Sequence, residues 1–282
     1  MNWFLLSIVS VITLAISNLL QRVLMRNEKS NVVAYSLVFQ LTCAVLVGLF
    51  TFSRGFVMPP IRELWFNFVL ITVLYAAGTL FLFKALQSVE ASKTAIITSS
   101  GALWTIVVAL IFLGESFDLV KILGVILVLG SVVFVSLKRE VMRFNKGILY
   151  ALGSAFCCGV AFANDTFILR QSDVFSYTTL AFLFPGLFIL VIQPRILTEM
   201  KALLSTPVLL KMALLGLFFS SSTIAIYLAY QEGGTASQLA PISQSVVILT
   251  VLLATIFLNE RGQLIRKFVG AIIVTIGVLL LR

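Results

Sequence analysis

Apolar residues come along this chain in runs of about twenty, each bounded by a short polar or basic stretch, the length a helix needs to cross a hydrocarbon core of about 30 Å. The first runs from about Phe4 to Leu24 and closes at Arg26-Asn27-Glu28-Lys29. The second covers about Val32 to Phe52, and Pro59-Pro60 breaks the chain before a third, about Leu64 to Leu86. Two more follow, about Thr94 to Gly114 and Leu119 to Leu137, joined by the tight polar turn Glu115 to Asp118. A basic linker, residues 138–146, then separates two halves. The second half repeats the count: about Gly147 to Leu169, Phe175 to Ile192, Leu209 to Tyr230, Gln238 to Leu258, and Leu264 to the end. No run alternates as a barrel strand does, so the pattern predicts an all-α membrane protein of ten spanning helices.

The halves are alike in their polar positions as well as in their apolar ones. At an offset of 145, Thr105, Ala109, Ile111, Phe112, Leu113 and Glu115 meet identical residues at Thr250, Ala254, Ile256, Phe257, Leu258 and Glu260. At 144, Thr79, Ala85 and Gln87 meet Thr223, Ala229 and Gln231. The expected repeats are residues 1–137 and 147–282. With five spans each, an odd number, two copies that fold alike insert with opposite orientation, related by a pseudo-twofold axis in the membrane plane.

Composition narrows the function classes. Only 11% of residues are charged, and the loops are too short for a soluble domain, so the chemistry belongs inside the bundle. The net charge of +9 is spread over membrane-flanking loops and is read as loop charge, with no nucleic-acid partner. Fifteen Lys and Arg fall in the loops opposite the termini and five on the terminus side, which puts both termini outside a plasma or inner membrane. No cofactor or metal is expected: histidine is absent, and Cys43, Cys157 and Cys158 lie in apolar runs as packing residues. The first residues lack the positive region of a signal peptide. No Gly-x4-Gly-Lys-Ser/Thr loop is present, against direct ATP drive.

Ala85-Leu-Gln-Ser-Val-Glu-Ala-Ser92, Ile111-Phe-Leu-Gly-Glu115 and Ile256-Phe-Leu-Asn-Glu260, each Glu followed by a Gly-bearing final span, resemble the EamA-type drug/metabolite transporter superfamily over essentially the whole chain. The resemblance implies ten helices in two inverted five-helix repeats. It also implies a central cavity lined by the first, third and fourth helices of each repeat, and export or exchange of small metabolites. Two features depart from it: Ala102 stands where many relatives have a proline, and the superfamily's usual arrangement has cytoplasmic termini.

Polar side chains within hydrocarbon usually face a bundle interior or a wet cavity, which picks out the candidates. Thr79, Phe83 and Gln87 share a helix face, as do Thr223, Tyr227 and Gln231; they either line the site or hold the bundle together. Asn18 pairs with Asn164 at an offset of 146, and Gln21 follows Asn18 on its face. Asp165, the one carboxylate well inside a span, is a candidate for proton coupling or for binding a cationic group, or it lies within reach of water near a helix end or pairs with Lys84. Lys84 itself either snorkels to the interface or binds an anion. Thr98 and Gln244 come from the fourth and ninth spans, and Pro241, which removes a backbone hydrogen bond, is a candidate gate or a plain packing kink. Gly124 and Ser131 correspond to Gly270 and Gly277 and predict close helix packing. Glu115 and Glu260, in turns, are expected to cap or to make a loop contact.

The expected function is a secondary transporter, exporting or exchanging small organic metabolites by alternating access around a midplane site. The mostly neutral lining favours amino acids or related amphipathic solutes, with protons as a candidate coupling ion. A non-transporting sensor or helper subunit of the same fold is the alternative. An intramembrane enzyme would need a nucleophile with a base or a metal constellation, for which a chain without histidine and with one deep carboxylate makes a poor case. Monomer and homodimer stay open.

Overall fold

The computed structural model describes residues 2–25, 32–88, 94, 97–116, 118–136, 146–197, 200, 206–257 and 264–281. These residues contain eleven helices: α1 (Trp3–Met25), α2 (Val32–Arg54), α3 (Trp65–Ser88), α4 (Gly101–Phe112), α5 (Leu119–Ser136), α6 (Lys146–Leu169), α7 (Val174–Ile192), α8 (Thr206–Gln231), α9 (Ala236–Gln244), α10 (Val246–Phe257) and α11 (Leu264–Leu280). The expected ninth span is thus divided in two, α9 and α10, at Ser245. Six helices are long and apolar enough to cross a membrane, and shorter apolar helices cover Ile97–Phe112, Leu119–Phe134 and Val269–Leu280.

The bundle carries apolar residues on its surface as well as in its interior. Large apolar side chains such as Leu49, Phe112, Leu119, Val191 and Ile265 are exposed, as a lipid-facing surface requires. Helix contacts combine small residues, with Ala15, Ala85, Ala109, Ala151, Ala161 and Ala229 fully buried, and large ones such as Leu37, Ile71, Ile189 and Leu215. Without a hydrophobic drive between helices in lipid, close backbone approach and hydrogen bonding supply the attraction.

The most extensive helix contacts cross from one half of the chain to the other. The third helix of each half packs on the first helix of the other, α3 on α6 and α1 on α8; α2 packs on α7, and α5 on α11. This reciprocity is what two inverted repeats around a pseudo-twofold axis produce. It is sharpest between α5 and α11. A Cβ on Gly124 would lie 2.9 Å from Gly277 O, a Cβ on Gly277 would lie 3.0 Å from Gly124 O, and Ser131 Oγ donates to Gly270 O at 2.7 Å. The glycines expected to pack closely do so, against one another across the axis.

The interruption of the ninth span has a different cause from the one expected. At Ser245 the backbone N–H turns to Ile242 O (3.0 Å), and the hydroxyl donates to the same carbonyl at 2.6 Å. At Ser100, 145 residues earlier, N–H and hydroxyl both return to Ile97 O at 3.1 and 2.6 Å. The serines share helical backbone angles, φ −63°, ψ −13° and φ −61°, ψ −17°. No proline lies in residues 89–112. The tightened turn therefore belongs to the repeated Ile-x-x-Ser phrase, and Pro241, one turn before Ser245, is not needed for it.

Candidate functional site

One turn before the end of α6, Asp165 is fully buried, and its carboxylate accepts hydrogen bonds from three tyrosines on three other helices. Local structure explains how each arrives. The chain leaves α6 through the short turn of residues 170–173, and Asp173 then caps α7 by accepting from Ser176 N (2.8 Å) and Ser176 Oγ (2.9 Å). That cap sets Tyr177 in the first turn of α7, opposite Asp165, where its hydroxyl donates to Oδ1 at 2.6 Å. Tyr227 stands one turn before the end of α8 and donates to Oδ2 at 2.5 Å. Its helix is held there by Gln231, whose amide donates to Leu169 O (3.0 Å) and Ser172 O (2.9 Å), carbonyls left open where α6 ends. Tyr75 donates to Oδ2 from the middle of α3. That helix is pinned to α6 by Asn67 and Asn164: each side-chain amide donates to the other residue, Asn164 Nδ2 to Asn67 O at 3.0 Å.

The rings form a box around the acid. Tyr177 and Tyr227 lie 5.7 Å apart between centroids, Phe162 stacks on Tyr227 at 6.5 Å, and Phe68 meets Tyr177 edge-on at 6.0 Å. Among the described residues, every hydrogen bond to the Asp165 side chain comes from a tyrosine and none from a Lys or Arg. Phenol donors shorten and strengthen bonds to a carboxylate without neutralising its charge. The cluster is thus an anionic group held in place among aromatic faces, suited to receive a cation.

Of the other expected residues, Tyr227 is the one brought directly to Asp165. Asn164 is engaged with Asn67, and Gln231 ties helix ends. Thr223 Oγ1 donates to Phe219 O of its own helix (3.1 Å), and Thr98 Oγ1 to Thr94 O (3.0 Å). Asn18, Thr79 and Gln244 are half-buried on α1, α3 and α9. Phe83 lies toward the other end of the bundle, edge-on to Tyr35 at 5.6 Å. The side chains of Gln21 and Gln87, and the whole of Glu260, lie outside the described residues. Lys84 does not pair with Asp165. Its Nζ sits 5.5 Å from the Tyr150 ring centroid, and fifteen residues of α6, about 22 Å, separate Tyr150 from Asp165. The acidic cluster, one turn inside the terminus-side end, is also not at mid-bundle.

Three members went unread in the sequence: Asn67, Tyr75 and Tyr177. A signal existed for one of them, since Val32-x-x-Tyr35-Ser36 recurs as Val174-x-x-Tyr177-Thr178 at an offset of 142.

Above the cluster the two halves are clasped. Glu115, in the turn after α4, accepts from the first helical N–H groups of α9, Ala236 N at 2.8 Å and Ser237 N at 2.9 Å. Arg170 joins three helix ends, donating from Nη2 to Leu113 O (3.2 Å) and from Nε to Tyr230 Oη (2.9 Å). Gln238 Nε2 reaches Leu281 O at 2.7 Å. The expected capping role of Glu115 is what the structure contains, directed from one half to the other.

The profile of the EamA-like transporter family matches this sequence twice, over residues 1–137 and 145–282. The chain belongs to this family. It is a multi-pass membrane protein of the drug/metabolite transporter type, a family of transporters and not of enzymes, which implies a small-molecule substrate and a lipid surround. A search of curated proteins finds no match. Twenty-eight chains of solved structure match. One, titled only as the crystal structure of a protein, shares 14% identity at a TM-score of 0.79, covering 99% of this chain and 95% of its own, and shows the fold alone.

Proposed function

We propose that this EamA-family chain is a secondary-active transporter that exports or exchanges small organic metabolites, amphipathic solutes such as amino acids among them. The repeats rock against one another so that the site around Asp165 opens to each side in turn. The observation that carries this reading is the buried Asp165 carboxylate, gathered by tyrosines from both halves of the chain, Tyr75 from the first and Tyr177 and Tyr227 from the second. An acid at such a place is costly unless it works in exchange with a transported cation or proton, and it is reached from three helices whose relative positions a rocking motion changes. The loop charge orients the bundle with its termini outside, which puts Asp165 one turn from the extracytoplasmic end.

Counterflow into proteoliposomes tests the reading. The purified protein is offered labelled amino acids, amines, nucleosides, sugars and organic acids, with and without a pH gradient. Selective accumulation of one class is expected, and it should be lost in Asp165→Asn while the variant still inserts. Absence of accumulation for every class, from protein shown to be folded, would leave the helper-subunit alternative.

A further inference from the structure

The two repeats carry the same stripe of residues on their third helices but with opposite chemistry at its ends. On α3, Tyr75, Thr79 and Phe83 follow at intervals of four and share a face; on α8 the corresponding residues, 144 further on, are Phe219, Thr223 and Tyr227. Because the repeats are inverted, α3 and α8 run in opposite directions. The two phenols, Tyr75 and Tyr227, therefore meet at the terminus-side end, where both donate to Asp165. The phenyl rings are left toward the other end, Phe83 against Tyr35 and Phe219 against Phe39 at a centroid distance of 5.0 Å. The acid has no counterpart there either, since the residue matching Asp165 at an offset of 146 is Leu19. A pseudo-symmetric scaffold thus has a polarised interior: a carboxylate with three phenols at one end, threonines between, and phenylalanines beside the Tyr35 ring at the other. From Tyr75 to Phe83 the α3 stripe rises about 12 Å.

The charge balance is one-sided as well. Among the described hydrogen bonds, Arg170 is engaged with Leu113 O and the Tyr230 hydroxyl, and Lys84 stands over Tyr150 at the far end of α6; neither bonds the Asp165 carboxylate. A solute carrying its own carboxylate would bring a second negative charge to an acid that no described Lys or Arg side chain balances. A monocation brings the charge the cluster lacks, and the ring faces of Tyr177, Tyr227 and Phe162 suit an ammonium more than a hard metal ion.

We propose that the solute is an amphipathic organic amine, its ammonium held by Asp165 among Tyr75, Tyr177 and Tyr227, and its apolar body lying along the α3 and α8 stripes toward Phe83 and Phe219. The assignment rests on the transporter reading above and deepens it by naming the substrate class and the direction in which the molecule lies. It favours a monocation over the zwitterion that a free amino acid would be.

The test is binding to the purified full-length protein in lipid nanodiscs, measured by calorimetry with three ligands of one shape: 4-phenylbutylamine, 4-phenylbutanol and 4-phenylbutyrate. The amine should bind roughly tenfold or more tighter than the alcohol, the return expected for a desolvated ammonium on a carboxylate and aromatic faces, and the acid should not bind. Asp165→Asn should erase the amine's advantage over the alcohol. Tyr227→Phe, which keeps the ring and removes only the hydroxyl, guards against misfolding and should shrink that advantage severalfold. Phe83→Ala should weaken 4-phenylbutylamine but leave butylamine, which is too short to reach, unchanged. Equal binding of amine and alcohol, or an amine preference that survives Asp165→Asn, overturns the assignment. Counterflow separates the two ideas. Transport of a neutral or anionic solute that survives Asp165→Asn sinks the amine and spares the carrier. Asp165-dependent amine binding with no counterflow of any solute sinks the carrier and spares the ligand.

Discussion

Removing the Glu115 side chain should loosen the bundle by an amount that its two bonds allow one to state. In the structure its carboxylate oxygens accept Ala236 N at 2.8 Å and Ser237 N at 2.9 Å, the unsatisfied amides at the start of α9. In Glu115→Ala those amides, on two residues with no exposed surface, lose their acceptor, so each loss is at least that of an ordinary helix cap, about 1 kcal/mol, and the pair comes to about 2 kcal/mol when water enters the vacated space. The Thr235 and Gln238 capping box on the same helix is untouched and keeps α9 formed. Glu115→Gln keeps one acceptor oxygen and should lose about half as much. On the scale of about 2–4 °C per kcal/mol for a chain approaching this size, thermal unfolding in detergent should fall by about 4–8 °C for Ala and about half that for Gln. If both variants melt within about 1 °C of the parent, the cap contributes nothing and the reasoning fails.

Three further outcomes follow from the packing. Gly159→Ala places a Cβ 2.3 Å from Gly101 O and 2.9 Å from Trp104 Cβ, so α4 and α6 must part and the Thr105 Oγ1 bond to Gly159 O (2.8 Å) is strained; the cost, about 1–3 kcal/mol, is read from equilibrium unfolding, and an unchanged midpoint would contradict the close crossing. Asn67→Ala removes the amide donor to buried Asn164 Oδ1 and should destabilise by about 1–2 kcal/mol in the same assay, whereas a neutral result would mean that Asn164 finds another partner. Lys84→Gln, at an exposed position over Tyr150, should cost less than about 1 kcal/mol and leave counterflow intact; loss of counterflow would place Lys84 on the solute path.

The helices and their doubling were legible because spanning runs are dictated by bilayer thickness and because polar residues in register are rare inside them. Asp165 was legible for the same reason, as a charge where charge is costly. Its partners were not. Tyr75, Tyr177 and Tyr227 stand on three helices, 50 to 152 positions apart in pairs, and no local periodicity links them to residue 165. The clasp made by Glu115 was legible as a capping role but not in its direction, since the donors lie 121 and 122 residues away in the other half. Pro241 drew attention as a helix breaker, yet the break recurs at Ser100 without one, and the cause is a serine hydroxyl competing for a backbone carbonyl. Pairing of Lys84 with Asp165, one of the alternatives open in the sequence, is ruled out by the length of α6 that separates them.

The contact between α5 and α11 differs in kind from the clasp at the terminus-side end. At Gly124 and Gly277 backbone lies against backbone, with no side chain able to rotate and no room for a Cβ on either strand of the crossing. Its strength comes from dispersion and one serine hydroxyl on Gly270 O, neither of which water can replace inside lipid. The Arg170 bonds are the opposite: an exposed ionic group in a turn at the bundle end, where water offers its donors a substitute. The two halves are therefore joined by one contact indifferent to solvent and one that solvent can dissolve, so the first acts as a fulcrum and the second as a catch.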